Sequence, residues 1–289
     1  MKFPGKLLVV SLCLLMPTAA HSHRSWLFPS STVLSKEGSW VSVDAARSND
    51  LFYYDHFPML LGNVADQPEE LAKMRRRDRG PAPDVEISAP DGGKLDPKFG
   101  HAGRFRTTFD VPLEKAGTYK MSVVESGMFA RYKLKGEEKR WRGTAETFEK
   151  EVPKDAEELQ VTDRHNRVET FVTVGNPTTE VLKPTGAGLE LEPVTHPNDL
   201  YAKEAATFKF LLDGKPASGI KVSVIRGGIR YRDALGEFEA TTGEDGTVKI
   251  TWPEPGMYFI SASARREAAE PKGRQMRAGY AVTLEVLPQ

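Results

Sequence analysis

Apolar and polar residues alternate in short runs along most of the chain, and Gly, Pro, Asn or Asp bounds each run. That period of two marks half-buried β-strands. Trp40-Val41-Ser42-Val43-Asp44 alternates, as does Val85-Glu86-Ile87-Ser88-Ala89 ahead of the turn Pro90-Asp91-Gly92-Gly93. Arg104 to Val111, Tyr119 to Val124 and Val168 to Val174 follow. After residue 187 the rhythm restarts, with strands expected at Thr207–Leu212, Ile220–Ile225, Val248–Trp252, Tyr258–Ala264 and Ala278–Val286. One segment, Gln67 to Arg77, reads as a helix. It has Asp66 as N-cap, Pro68 near its start, acids in the first turn and bases in the last. Met128 to Gly143 mixes aromatics with Arg and Lys and reads as a hairpin.

One pattern occurs twice. Ala116-Gly117-Thr118-Tyr119-Lys120-Met121 and Pro255-Gly256-Met257-Tyr258-Phe259-Ile260 each open an alternating strand with Gly-x-Tyr. In immunoglobulin-like sandwiches a tyrosine placed this way tucks its ring into the core and bonds its hydroxyl back to the main chain. Two copies predict an all-β protein of two tandem Ig-like or transthyretin-like β-sandwiches with one short helical insertion. Pro184, Gly186 and Gly188 mark the break. The expected domains are residues 23–185 and 188–289.

The amino-terminal run does not alternate. Leu7 to Met16 is continuously apolar behind Lys2 and Lys6, and small residues follow it. These are the parts of a secretory signal peptide, too short for a membrane span of roughly 20 residues. Cleavage after Ala20 or after Ser22 is expected, which assigns residues 1–22 to the signal and the mature chain to the periplasm or the exterior. The single cysteine, Cys13, lies in this segment. The mature chain therefore has no disulfide and must be held by its cores. Without Lys2 and Lys6 there are 38 basic against 40 acidic residues, a balance that argues against nucleic acid or an anionic membrane as the main partner. After cleavage nothing embeds the chain in a membrane. Thiol catalysis is excluded, and Gly-x-Ser-x-Gly, a phosphate-cradling glycine loop and His-Glu-x-x-His are all missing. No enzymatic activity is expected.

The chemistry gathers at the predicted cleavage seam. Cutting after Ala20 starts the chain His21-Ser22-His23. An amine, two amides and an imidazole then lie in one plane, a donor set suited to Cu(II) or Ni(II). Cutting after Ser22 leaves His23 to chelate through its own amine and ring, with a second histidine supplied by the fold. His56 is the first candidate partner, in the aromatic-rich stretch Ser48 to Pro58. Asp50 and Asp55 there are candidates to ligate or to orient the ring. His196, in Thr195-His196-Pro197-Asn198-Asp199, is the second candidate. His101 and His165 fall in polar segments and are expected to be exposed. Arg140-Trp141-Arg142 is a candidate contact for a carboxylate, a glycan or a partner protein.

Several of these motifs together resemble one bacterial family. They are His23-Arg24-x-Trp26-Leu27, Ser48-Asn49-Asp50 to His56, Phe105-Arg106-Thr107-Thr108-Phe109-Asp110, Tyr132-Lys133-Leu134 to Trp141-Arg142-Gly143, and His196-Pro197-Asn198-Asp199. The family is a periplasmic domain-of-unknown-function family described as a component of nickel or cobalt uptake systems. The second half is similar to transthyretin-like or carboxypeptidase-regulatory sandwiches, through Asp213-Gly214, Asp245-Gly246 and Pro255-Gly256-Met257-Tyr258. The resemblance implies a metal-binding protein serving uptake or buffering, with a membrane metal transporter as partner. It includes His23, His56 and His196 in its motifs and leaves out His21, which favours the cut after Ser22. The alternative is a non-catalytic sandwich module that binds a protein or glycan at the cell envelope. A copper-loaded terminal histidine acting oxidatively on a polysaccharide is a third reading.

Overall fold

In the computed structural model the described residues are 23–64, 66–76, 82–267 and 273–289. His21 and both expected cleavage positions lie outside them. In chain order the first elements are β1 (Arg24–Pro29), β2 (Val33–Leu34), β3 (Ser39–Ser48), β4 (Phe57–Pro58), α1 (Glu69–Arg76), β5 (Val85–Ser88), β6 (Lys94–Leu95), β7 (Lys98–Ala102) and β8 (Thr107–Leu113). Then come β9 (Gly117–Leu134), β10 (Glu137–Gly143), α2 (Ala145–Glu151), β11 (Glu157–Val174) and β12 (Leu189–Pro193). The chain closes with β13 (Ala205–Leu212), β14 (Lys215–Pro216), β15 (Lys221–Arg226), β16 (Phe238–Thr241), β17 (Thr247–Thr251), β18 (Gly256–Glu267) and β19 (Arg274–Val286).

The all-β sandwich expected from the alternation is what forms, and its layers are shared. A ten-stranded central sheet runs β16-β15-β18-β19-β11-β9-β5-β6, with β10 paired to β9 and β2 to β11. Strands β11 and β19 lie parallel, Val168 beside Ala281, and so join the two halves of the chain in one ladder. Successive residues of a strand point to opposite faces. On β11, Val168, Val172 and Val174 enter one core with Leu27, Val43 and Phe109 of the five-stranded sheet β1-β3-β8-β7, in which β4 also pairs with β3. Phe171 points the other way, into a core with Leu191, Phe208 and Ile250 of the four-stranded sheet β12-β13-β14 and β17. The two small sheets thus pack on opposite faces of the central one, and β11 is buried on both sides over its C-terminal half.

Strands β9 and β11 are each 18 residues long, well beyond the alternating stretches that announced them. They run past the small sheets as an extension that carries hairpin β9–β10. One face of that extension is covered by α2, a helix the sequence reading missed. Trp141, Met128, Ala130 and Val161 pack there with Phe148 of α2. Its signal was Thr144-x-x-Thr147, which forms a capping box. The expected helix forms as α1, but starts at Glu69. Asp66, expected to cap it, instead bridges to His101, whose Nδ1 lies 2.6 Å from the Asp66 carboxylate.

Both tyrosine corners form. The Tyr119 hydroxyl donates to the Lys115 carbonyl at 2.9 Å, and that of Tyr258 to the Glu254 carbonyl at 2.7 Å. The preceding glycines have φ of 123° and 138°, a conformation strained for any other residue. A Cβ on Gly117 would also stand 2.6 Å from that of Pro90. Each hydroxyl also accepts from the main-chain N–H of the same residue, Lys115 at 2.9 Å and Glu254 at 3.4 Å. Tyr119→Phe and Tyr258→Phe keep the ring and lose both bonds, so each is expected to cost about 1–2 kcal/mol. The two costs should add, because the rings sit in different cores. Urea unfolding of the single and double variants checks this.

Candidate functional site

Strand β3 ends between two partners. On one side β1 runs antiparallel to it, with Arg24 opposite Ser48. On the other, β4 sets Phe57 opposite Arg47. The residue before each partner strand is a histidine, so His23 and His56 arrive from opposite sides at the tip of β3. Their rings stack with centroids 3.8 Å apart and an interplanar angle of 26°. His56 also meets the edge of Phe57 at 4.1 Å. Residues 33 positions apart in sequence are brought together here by the pairing of β1 and β4 with β3.

Asn49, the first residue after β3, holds the pair. His23 Nδ1 lies 2.9 Å from Asn49 Oδ1, a contact in which the ring N–H donates to the amide oxygen. Asp55 in turn accepts from the Asn49 main-chain N–H at 3.1 Å. Of the two aspartates considered from sequence, Asp55 is therefore the one that orients the site, acting through Asn49. Asp50 is exposed, and its main-chain carbonyl accepts from Tyr53. The role of Asn49 went unread, although an Asn between a strand end and the His56 loop was the available signal.

The loop between β3 and β4 is fixed from below by aromatics. Trp26 is fully buried and donates its indole N–H to Ser48 Oγ at 2.8 Å. Phe28, Phe52 and Tyr54 pack around it, at 6.2, 5.6 and 5.3 Å between ring centroids. Ile225 and Phe259 of the C-terminal half close the cluster. Tyr54 donates to Asp44, and the Arg106 guanidinium lies 4.5 Å from the centre of its ring. Burial, reinforced by the Asp44 carboxylate, pushes the Tyr54 hydroxyl up to about 12. The aromatics are thus a packed support beneath the histidines.

The other candidates lie elsewhere. His196 sits beside the start of β9 and the end of β11. Its Nε2 is 3.0 Å from Thr118 Oγ1, and its Nδ1 accepts from the Asn198 N–H at 3.1 Å. Thr173 in the same network is level with Val33, beyond the far end of β1 from His23. Burial pushes the His196 ring below its ordinary range. The structure does not bring it to the histidine pair. His101 is exposed as expected but belongs to strand β7. His165, expected in an exposed turn, is half-buried within β11, and burial followed by the Arg167 charge pushes its ring down. Trp141 is 9% exposed and donates to Glu151 at 2.7 Å, which removes it from the contact surface proposed for Arg140-Trp141-Arg142. Among the described residues no group of three His, Cys, Asp or Glu is arranged to hold a metal ion, and no helix is long and apolar enough to cross a membrane.

The fold and this apex define an all-β sandwich protein with paired histidines at the tip of one sheet. The chain belongs to the family described as a domain of unknown function (DUF4198), whose model matches residues 20–266. Among curated proteins none matches it. Similar solved structures include the D0-D1 domain of intimin, at 12% identity over 89% of this chain and 96% of that one, with a TM-score of 0.19. Another is the human OSCAR ligand-binding domain, at 11% identity over 91% and 99%, with a TM-score of 0.19.

Proposed function

We propose that this is an exported protein that binds Cu(II) or Ni(II) at its mature amino terminus, for uptake or buffering. Cleavage after Ser22 would leave His23 with a free α-amine. That amine and the two imidazoles then supply three nitrogens, a set that suits late transition metals. The observation that carries the reading is the convergence of His23 and His56 at 3.8 Å. The third donor belongs to the processed terminus and not to any folded side chain. Chelation through the amine and Nδ1 requires His23 to exchange its bond to Asn49 for the metal. The periplasm as compartment and a membrane transporter as recipient belong to the same proposal. His196 and Asp50 have no part in it.

Isothermal titration of secreted protein, confirmed by intact mass to begin at His23, tests the proposal. Binding of Cu(II) or Ni(II) tighter than about 1 mM is expected, and His56→Ala should weaken it at least about tenfold, or 1.4 kcal/mol. Weaker binding of both metals by that protein overturns the proposal. So does a His56→Ala variant that binds as well as the parent. A chain found to begin at His21 and to bind regardless of His56 would place the chelate wholly in its first three residues.

A further inference from the structure

The face of the extension opposite α2 is dominated by arginine. Registers place Arg140 directly opposite Arg131, Arg164 opposite Arg277, and Arg277 opposite Arg265. All five are exposed. Their sequence neighbours Ala130, Trp141, Ala264, Met276 and Ala278 point the other way, into the cores. Arg142 belongs to the same face, with its guanidinium 5.5 Å from the centre of the Phe129 ring, and Arg164 lies over that ring at 5.9 Å. Like charges directly opposite on neighbouring strands destabilise a sheet. Acids on the same face offset part of this charge: Glu138 reaches Arg131 at 3.7 Å, and Glu267 stands opposite Gln275. Strands β10, β9, β11, β19 and β18 spread these guanidinia over about 19 Å at about 4.8 Å per strand. Between them lie Gln160, Thr162 and Gln275, and the Gln275 amide donates to Thr162 at 3.2 Å.

We propose that this face binds an acidic polysaccharide that carries carboxylates. Planar guanidinium forks match carboxylates bidentately, and the amide and hydroxyl side chains between them match sugar hydroxyls. A lipid surface fits less well, because interfacial binding needs apolar side chains that protrude, and Phe129 is half-buried beneath two guanidinia. Single-stranded nucleic acid needs aromatic faces on which bases can stack, and those of Phe129 are taken. The six arginines make this face more basic than the chain as a whole, which is nearly balanced in charge. The surface is independent of whether His23 and His56 hold a metal.

Titration of the full mature chain with polygalacturonate, its fully methyl-esterified form, phosphatidylglycerol vesicles and an oligodeoxythymidine tests the proposal. Polygalacturonate should bind, weaken as salt rises, and outcompete the other three. Arg277→Ala and Arg140→Ala, which lie on separate rows, should each weaken it by about tenfold. Because each removes a like-charge opposition, neither variant should melt below the parent. Three results would overturn the proposal: no binding of polygalacturonate, tighter binding of vesicles or DNA, or unchanged binding by both variants. A lower melting temperature in both would give these arginines a structural role and overturn it equally.

Discussion

Arg167→Ala is expected to destabilise the protein by about 3–5 kcal/mol, the cost of leaving buried charge without its counter-charge. Arg167, Glu169 and Glu190 are 5%, 3% and 3% exposed. They meet where the C-terminal half covers β11. Arg167 reaches Glu169 at 3.3 Å and Glu190 at 3.4 Å, and donates to Thr185 Oγ1 at 3.0 Å. Tyr280 donates to the second oxygen of Glu169 at 2.7 Å, and burial together with that carboxylate pushes its hydroxyl well above the ordinary range. Two carboxylates therefore share one guanidinium, and its loss leaves both unbalanced.

The variant should also show a pH signature. Burial pushes the Glu190 carboxyl up, but the Thr185 amide and hydroxyl, Arg167 and the Gly186 amide outweigh it and hold the group below the usual carboxylate range. A carboxyl with a depressed folded pKa contributes stability that is fully present above its unfolded value, near 4.3. That stability is lost as pH falls through the folded pKa. Removing Arg167 raises the folded pKa and moves the acid limb of stability to higher pH. Urea unfolding from neutral pH downward measures both effects. A loss below about 1 kcal/mol, with the acid limb unmoved, would mean that the hydrogen bonds alone hold the carboxylates.

Trp26→Ala should cost a comparable amount, about 3–5 kcal/mol for a large aromatic emptied from a packed site. Its effect should extend to the histidine pair. Trp26 is the floor on which Phe52 and Tyr54 rest, and those residues set the path of the loop that ends at His56. Loss of the indole N–H also leaves Ser48, fully buried at the tip of β3, without that partner. Thermal unfolding should show a fall of roughly 2–4 °C per kcal/mol for a chain of this size, and metal affinity should fall with it at temperatures where the variant is still folded. Unchanged affinity in folded Trp26→Ala would show that the strand registers alone bring the histidines together.

Much of this architecture was legible in the alternation, and the misses have specific causes. The Gly-x-Tyr repeats identified both tyrosine corners because that geometry is local. A Tyr hydroxyl reaches the carbonyl only four residues back. The alternating stretch Val168 to Val174 gave the correct strand but not its surroundings. Alternation implies one wet face, whereas β11 has a small sheet on either side, so Glu169 is buried where the pattern would leave it in water. Strand β1 was missed because Arg24-Ser25-Trp26-Leu27-Phe28-Pro29 carries three consecutive apolar residues. Trp26 faces the aromatic support while Leu27 faces the main N-terminal core. The Arg140–Arg131 pair is local to a hairpin, but Arg164 and Arg277 stand 113 positions apart, and only the parallel β11–β19 ladder places them side by side.

The all-β class, most of the longer strands and both tyrosine corners could be read from the sequence alone. These depend on period, turn chemistry and side-chain type within a few residues of each other. Which histidines meet, which acids are buried and which face gathers arginine could not be read that way. Those outcomes depend on strand register and on which sheet covers which face. Register is fixed by packing across the whole molecule, and a shift of one residue would turn every side chain of the strand to the opposite face.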